Sequence, residues 1–193
     1  MEALGCKTTE DMRHVSAWSI QKAFGELLMK ANRGLAVTSP VIDGNLIPCP
    51  VSTAIETRLL HNIPYILCST GQDLWQPELY HAILKWEDEA EAQGISPCYA
   101  AHFSRHLPGD ERGAFHSADL WYWCGTLQNS WRPNTEWDWE LSRRMAGYLT
   151  NFAKSGDPNG EALPQWQTHK EAPGKIMVFS DETAYQQNAD CIM

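Results

Sequence analysis

Apolar positions recur at helical spacing between Thr8 and about Ala31, where Ile20, Phe24, Leu27 and Leu28 share a face. Thr8 and Thr9, followed by Glu10 and Asp11, supply a start signal, and Asn32, Arg33 and Gly34 a stop. Thr38 to Pro50 carries Pro40, Asp43-Gly44, Pro48 and Pro50, the composition of a turn-rich connection. Ile63 to Cys68, opened by Pro64, is a short apolar run suited to a buried strand. Trp75, Leu79, Ile83 and Trp86 then return to three- and four-residue intervals, with Pro77 near the start and Gly94 past the end, which predicts a helix. Its acidic tail, Glu87, Asp88, Glu89 and Glu91, reads as a solvated face. Pro97 to Leu107 alternates, with Tyr99, Ala101 and Phe103 on one side, and is a second strand. The strongest helix spans Thr135 to Lys154: Thr135 and Asp138 form a capping pattern, Leu141, Met145, Tyr148 and Phe152 form one stripe, and Gly156 ends it. Ile176 to Phe179 is a last candidate strand before a polar tail over 180–193.

Helices and strands alternate without internal repeats, which places the chain in the α/β class. Two or three strands make a small sheet for 193 residues, so the pattern suggests an incomplete central sheet with flanking helices. Composition narrows the partners. Fifteen Lys and Arg against 24 Asp and Glu leave a net charge of -9, which repels phosphate backbones and anionic headgroups; neither nucleic acid nor a membrane surface is an expected partner. No apolar run approaches the roughly 20 residues of a membrane span. Met1 to Glu10 lack the basic and apolar regions of a secretion signal, so no address is legible and a cytoplasmic setting is the expectation. The six cysteines stand singly, without a CxxC spacing, and read as buried thiols. Five of the nine tryptophans crowd between Trp121 and Trp139; core packing explains them, and aromatic pocket walls are the alternative.

Candidate chemistry is sparse. His116 lies in Gly113-Ala114-Phe115-His116-Ser117-Ala118-Asp119, a turn after a strand in which small residues allow close backbone approach to another loop. A loop histidine so placed can shuttle protons. Asp73 follows Ser69-Thr70-Gly71-Gln72 at the end of the first strand and reads either as the N-cap of the next helix or as a carboxylate delivered to a site. An acid after one strand and a histidine in a later loop match the order nucleophile, acid, histidine of a hydrolase triad, provided a serine precedes both. His102 and His106 are four apart, but on a strand that spacing separates them by roughly 13 Å, so no metal site is expected. No GxSxG, GxGxxG or GxxxxGK[ST] occurs, so neither a nucleophile elbow nor a phosphate loop is present, and no cofactor is expected.

These residues resemble the type B carboxylesterase and cholinesterase family. Gly113 to Gly125, GAFHSADLWYWCG, is similar to the family's catalytic-histidine block, and Asn151 to Trp166, NFAKSGDPNGEALPQW, to its C-terminal signature. Pro40 to Pro48, with Val41, Asp43 and Gly44, resembles the block that precedes the acid-bearing strand. The resemblance runs from about Leu4 to Phe179 and covers only the later portion of the family's domain. It implies the C-terminal part of an α/β-hydrolase fold, with His116 as catalytic base and Asp73 as triad acid. The family more often has glutamate followed by glycine where this chain has Asp73 and Leu74, and Cys124 stands where phenylalanine is common. Asp73 and His116 lie 43 residues apart, fewer than in the long animal members, which implies a trimmed helical region over the site.

The resemblance therefore implies hydrolysis of small-molecule esters by acyl transfer, with the serine and the oxyanion-hole amides supplied by a missing N-terminal half. Asp119 and Ser117 are candidate supports of the His116 loop, and Trp121 and Trp123 candidate walls of an apolar or aromatic substrate pocket. A non-catalytic interaction module, or a decayed fragment, is the alternative, since some members of the family keep the fold without the triad. Retention of both His116 and Asp73 favours the enzyme, because a scaffold has no physical need of the pair. Alone, the chain is expected to be nearly inactive and poorly soluble or molten.

Overall fold

The computed structural model describes residues 1–31, 40–74, 77–95, 97–182, 184–189 and 192, and of Ala31 the backbone alone. The chain divides into two compact units, Met1–Thr53 and Ala54–Met193.

In the first unit, the helical spacing between Thr8 and Ala31 resolves into α1 (Thr9–Arg13) and α2 (Ala17–Ala31). The Thr8 side chain accepts from the Asp11 N–H and Asp11 returns a bond to the Thr8 N–H, a capping box that satisfies two otherwise orphaned donors. The residues read as the stop of α2, Asn32 to Gly34, lie outside the described residues, as do Thr38 and Ser39. Asp43 closes the expected turn, accepting from the N–H groups of Asn45 and Ile47 at 2.9 and 3.0 Å. A short helix, α3 (Val51–Glu56), contains the boundary between the two units.

The second unit is built on a four-stranded sheet in the order β1-β2-β3-β4. Its members are β1 (Tyr65–Thr70), β2 (Cys98–Phe103), β3 (Lys175–Phe179) and β4 (Ala184–Asn188). The first three are parallel and the last pairs antiparallel. β4 lies in the segment read as a polar tail: Gln186, Gln187 and Asn188 carry no apolar alternation, so only pairing with β3 reveals the strand. The helices are α4 (Glu78–Ala92), α5 (Leu120–Trp123) and α6 (Glu136–Ser155). One face of the sheet sends Tyr99, Ala101, Phe103, Met177 and Phe179 against α5 and α6, whose Tyr122, Leu141, Met145 and Tyr148 are fully buried. The other sends Ala100, Ile176 and Val178 against Tyr80 and Ile83 of α4. All six residues of β2 are buried, because both faces of a parallel sheet are covered by helices.

α6 begins at the expected cap, Thr135 with Asp138, and ends at Gly156 in the left-handed conformation, φ 77°. A β-carbon there would also meet Pro64 Cγ at 2.8 Å, so glycine is required twice over. Asp138 has no exposure and accepts from Arg105 Nε at 2.8 Å and from the Tyr122 hydroxyl at 2.6 Å. Burial would raise its carboxyl, but the bonds from Arg105, Tyr122 and Thr135 outweigh burial and hold it at about 2. In the Gly156 to Asn159 turn, Asn159 Oδ1 accepts from the N–H of fully buried Trp166 at 2.7 Å.

Three sequence expectations need correction. α4 starts at Glu78 behind Pro77, not near Asp73, so Asp73 is not its N-cap; Trp75, the first residue of the expected stripe, lies outside the described residues. The acidic tail of α4 is not wholly solvated. Glu87 is 1% exposed and its carboxyl is pushed up to about 8, chiefly by burial and then by the neighbouring Asp88. It lies 3.5 Å from His169, whose other ring nitrogen meets Asp88 at 3.0 Å. Of the cysteines only Cys98 is buried; Cys124 is exposed because it falls at the C-terminal end of α5, outside the core, and Cys191 is outside the described residues.

Candidate active site

β1 and β2 run parallel, so both release their following loops at the same rim of the sheet, where open α/β sheets place their sites. The loop after β1 carries Asp73 and the loop after β2 carries His116. Gly71 N–H donates to Phe103 O at 2.9 Å and Gln72 N–H to Ala114 O at 2.9 Å, and Gln72 and Phe115 form an isolated parallel bridge. The two loops are therefore laced together just before each functional side chain. Gly113 makes the lacing possible: its φ is +60°, and a β-carbon on it would lie 2.5 Å from Gln72 Oε1. Ala114, beside it, has no exposure.

The result is a close pair. His116 Nδ1 lies 2.9 Å from Asp73 Oδ1, and since a carboxylate can only accept, the ring nitrogen donates. Asp73 also accepts from the Leu74 N–H at Oδ1, 2.6 Å, and from the Thr70 hydroxyl at Oδ2, 2.8 Å. Its side chain is 6% exposed, and burial pushes its carboxyl up, but the bonds from Thr70, Leu74 and His116 prevail and hold it below the usual carboxylate range. The acid is thus ionised at neutral pH, with the tautomer of His116 set so that Nε2 is the free nitrogen. The His116 side chain is 58% exposed.

Ser117, next in the chain, has φ 66°, a left-handed conformation that costs a non-glycine residue roughly 1–2 kcal/mol and turns the chain into α5. The Asp119 carboxylate bonds not to His116 but to the Trp123 indole N–H at 3.0 Å, and burial pushes its carboxyl up. Trp123 is 8% exposed and packs on Phe179, while Trp121 stands edge-on to Phe115. Trp123 also forms one wall of an apolar cavity of about 360 Å³ with Ile66, Cys68, Leu120, Leu149 and Phe152.

Several contributors were not legible beforehand. The guanidinium groups of Arg112 and Arg132 lie 4.3 and 5.4 Å from the Phe115 ring, and Asp110 ties both arginines at 2.9 and 2.7 Å. Arg132 sits 17 residues beyond the loop it braces, a contact that no local pattern announces. Thr70, three residues before Asp73, is the kind of position where a hydroxyl reaches a following acid, and that spacing was a usable signal. His106, considered in the sequence only as a metal ligand beside His102, is instead separated from it: His102 is buried on the α4 face, hydrogen-bonded to Ser69 at 2.9 Å, and His106 is exposed at the rim. Among the described residues no cluster of three side chains could hold a metal ion, and no helix is long and apolar enough to cross a membrane.

A mostly parallel sheet covered on both faces, with a histidine and a carboxylate meeting at its carboxyl rim, is consistent with part of an α/β-hydrolase fold. The PNB esterase structure superposes with a TM-score of 0.70 at 19% identity, over 97% of this chain and 50% of that one. A carboxylesterase of Geobacillus stearothermophilus gives 0.63 at 17% identity, over 93% and 49%. A model of the carboxylesterase family matches residues 71–191, more than half of the sequence, and the chain belongs to that family. Liver carboxylesterase 1 of Oryctolagus cuniculus is 38% identical over 56 residues, 29% of this chain and 10% of that protein. Cocaine esterase of Homo sapiens is 56% identical over 32 residues, 17% and 6% respectively. The chain thus spans half the length of the PNB esterase structure and aligns with a tenth or less of these curated relatives.

Proposed function

We propose that this chain is the histidine- and acid-bearing portion of a serine carboxylesterase, with the nucleophile and the oxyanion-hole amides supplied by sequence upstream of it. The observation that carries the reading is the 2.9 Å bond from His116 Nδ1 to a nearly buried, ionised Asp73. A serine hydroxyl brought to Nε2 would lose its proton to His116 as its oxygen attacks the ester carbonyl. Asp73 then stabilises the imidazolium, and His116 returns the proton to the departing alcohol; water repeats the cycle to free the acid. Asp119 and Ser117 act indirectly, by anchoring the turn into α5 on which His116 stands. Phe115, beside His116 in the chain, and Trp121, edge-on to Phe115, favour an apolar or aromatic substrate group. Relatives named as liver carboxylesterase and cocaine esterase fit a small-molecule ester.

The test is complementation. Co-expressed with an upstream segment carrying a Gly-Gly loop and a GxSxG serine, the chain should restore turnover of p-nitrophenyl esters. His116→Ala should then remove several orders of magnitude of kcat, as loss of a triad member does. An assembly that forms but cleaves no ester, or one indifferent to His116→Ala, sinks the reading. Equal rates on a short and an aromatic ester would remove the argument about substrate class alone.

A further inference from the structure

The His116–Asp73 pair has a counterpart on the same rim. His106, after β2, places Nδ1 2.8 Å from Asp181 Oδ2, beyond β3. Asp181 is itself anchored, since its Oδ1 accepts from Arg105 NH1 at 2.8 Å and from the His106 N–H at 2.9 Å. The His106 side chain is 63% exposed, and its ring edge would lie 3.3 Å from a β-carbon on Gly113, which sets it against the loop that carries His116. In both pairs the carboxylate accepts from Nδ1–H, so the lone pair of the neutral ring lies on Nε2, and both side chains are more than half exposed. The other imidazoles lack this arrangement among the described residues. His102 is buried against Ser69, His169 has carboxylates at both nitrogens, and His14 turns its Nε2 to Glu10.

An imidazole is a nucleophile as well as a base, and two conditions favour attack by Nε2 on an ester. The neutral ring must hold the tautomer with that lone pair free, and the positive charge that develops on the ring as the bond forms must be stabilised. A carboxylate on Nδ1–H does both. From this geometry we propose that the chain, without any serine, hydrolyses activated aryl esters at His116 and His106. Nε2 attacks the carbonyl carbon, the phenolate leaves with the electron pair of the broken C–O bond, and the acyl group stays on the ring as an acyl-imidazolium. Water then adds to that carbonyl, the C–N bond breaks with its electron pair returning to Nε2, and the carboxylic acid is released with the neutral imidazole restored, the second proton of the water passing to solvent, where it balances the charge of the phenolate. No oxidant, reductant or metal enters. The substrates are esters whose leaving group is stable as an anion, such as p-nitrophenyl acetate. Alkyl esters, whose alkoxide cannot leave unprotonated, stay outside this activity and require the serine route.

The experiment uses the full chain with Cys6, Cys49 and Cys124 replaced by serine, so that reachable thiols do not accept the acyl group. Release of p-nitrophenolate is followed beyond several equivalents per chain, which separates turnover from dead-end acylation of amines. Turnover several-fold faster per chain than an equal concentration of seven N-acetylhistidine amides is expected. His116→Ala and His106→Ala should each remove a large share, and the double variant should fall to the level of the free amino-acid derivative. Asp73→Asn and Asp181→Asn should each lower the share of its own histidine, while His81→Ala, on the surface of α4, should change nothing. Circular dichroism on each variant confirms that the fold is retained. A double variant that turns over as fast as the parent, or a parent no faster than the free derivative, overturns the proposal. Either result leaves the serine reading intact, because that reading requires His116 only as a base and is tested by complementation.

Discussion

Asp73 accepts three hydrogen bonds while only 6% exposed, and the donors divide between two functions. The bond to His116 is the chemical one; those from Leu74 N–H and the Thr70 hydroxyl fix the carboxylate plane. Thr70→Val should therefore cost the assembled enzyme about tenfold in kcat/KM, the equivalent of one lost hydrogen bond to a charged group, and Thr70→Ser should recover it. Asp73→Asn should cost far more, because an amide favours the wrong imidazole tautomer. If Asp73→Asn leaves the rate untouched, a different carboxylate holds the histidine. Two buried titratable side chains set a pH window for stability. His102 is held down at about 4 by burial, against an ordinary value of 6.5. Its neutral form is the one that folds, so stability is full above 6.5 and falls by about 3 kcal/mol as the pH drops from there through 4. Glu87 works in the opposite sense: raised from 4.5 to about 8, its contribution is full below 4.5 and is lost as pH rises through 8. Thermal midpoints against pH should thus peak between these limbs. His102→Gln should flatten the acid limb and Glu87→Gln the alkaline one; unchanged slopes would show that other groups set the window. Asp73 and His116 stood out in the sequence through the blocks that resemble the carboxylesterase family, since residue type and order alone left Asp73 open between a helix cap and a site carboxylate. The burial that tunes His102 and Glu87 was not, since it comes from the packing of α4 on β2.

At the scale of elements, segments with an apolar pattern could be read, three of the four strands among them, and the polar edge strand could not. α6 announced both ends, through Thr135 with Asp138 and through Gly156, because caps are local chemistry. β4 was missed because its polar residues form a strand only where β3 supplies a ladder. The loops of the candidate site fall between these cases: small residues before His116 signalled a close approach, but only the structure shows that Gln72 is the partner. Gly113→Ala should strain the backbone at φ +60° and push the Gln72 side chain away. In the assembled enzyme it should lower kcat with little change in KM, since the substrate-facing walls stay put while the pair loses register. A variant with normal kcat would show that the lacing does not position His116. Asp138→Asn tests a different joint. It weakens the support of half-buried Arg105 and of the Thr135 cap together, and should destabilise the fold by about 3 kcal/mol or more, read as a lower denaturation midpoint at an unchanged slope.

For the whole molecule, the two edges of the sheet are unlike. β4 ends it with Gln186, Gln187 and Asn188, a short polar edge of the kind that resists further pairing. β1 ends it with Tyr65, Ile66, Leu67 and Cys68, with neither charge nor proline. Beside it lies the apolar cavity of about 360 Å³, flanked by Leu120 and Leu149 at 53% and 40% exposure. The sequence suggested a poorly soluble or molten chain; core clusters pack on both faces of β2, and the β1 side is where apolar surface is left beside an unpaired edge. An unpaired strand presents its free N–H and C=O groups to any other strand, and each Å² of apolar surface covered by association yields about 25 cal/mol. The isolated chain should therefore keep a folded core yet bind a hydrophobic dye and self-associate as its concentration rises. Leu120→Glu combined with Leu149→Lys places charges on the groove without touching the fully buried residues of the core. That double variant should lower dye binding and shift sedimentation towards the monomer, while the far-ultraviolet dichroism stays the same. Complementation by an upstream segment should suppress dye binding in the parent chain in the same way. If the parent is monomeric and binds no dye at high concentration, the β1 side is self-sufficient and the expectation that upstream sequence covers it is wrong.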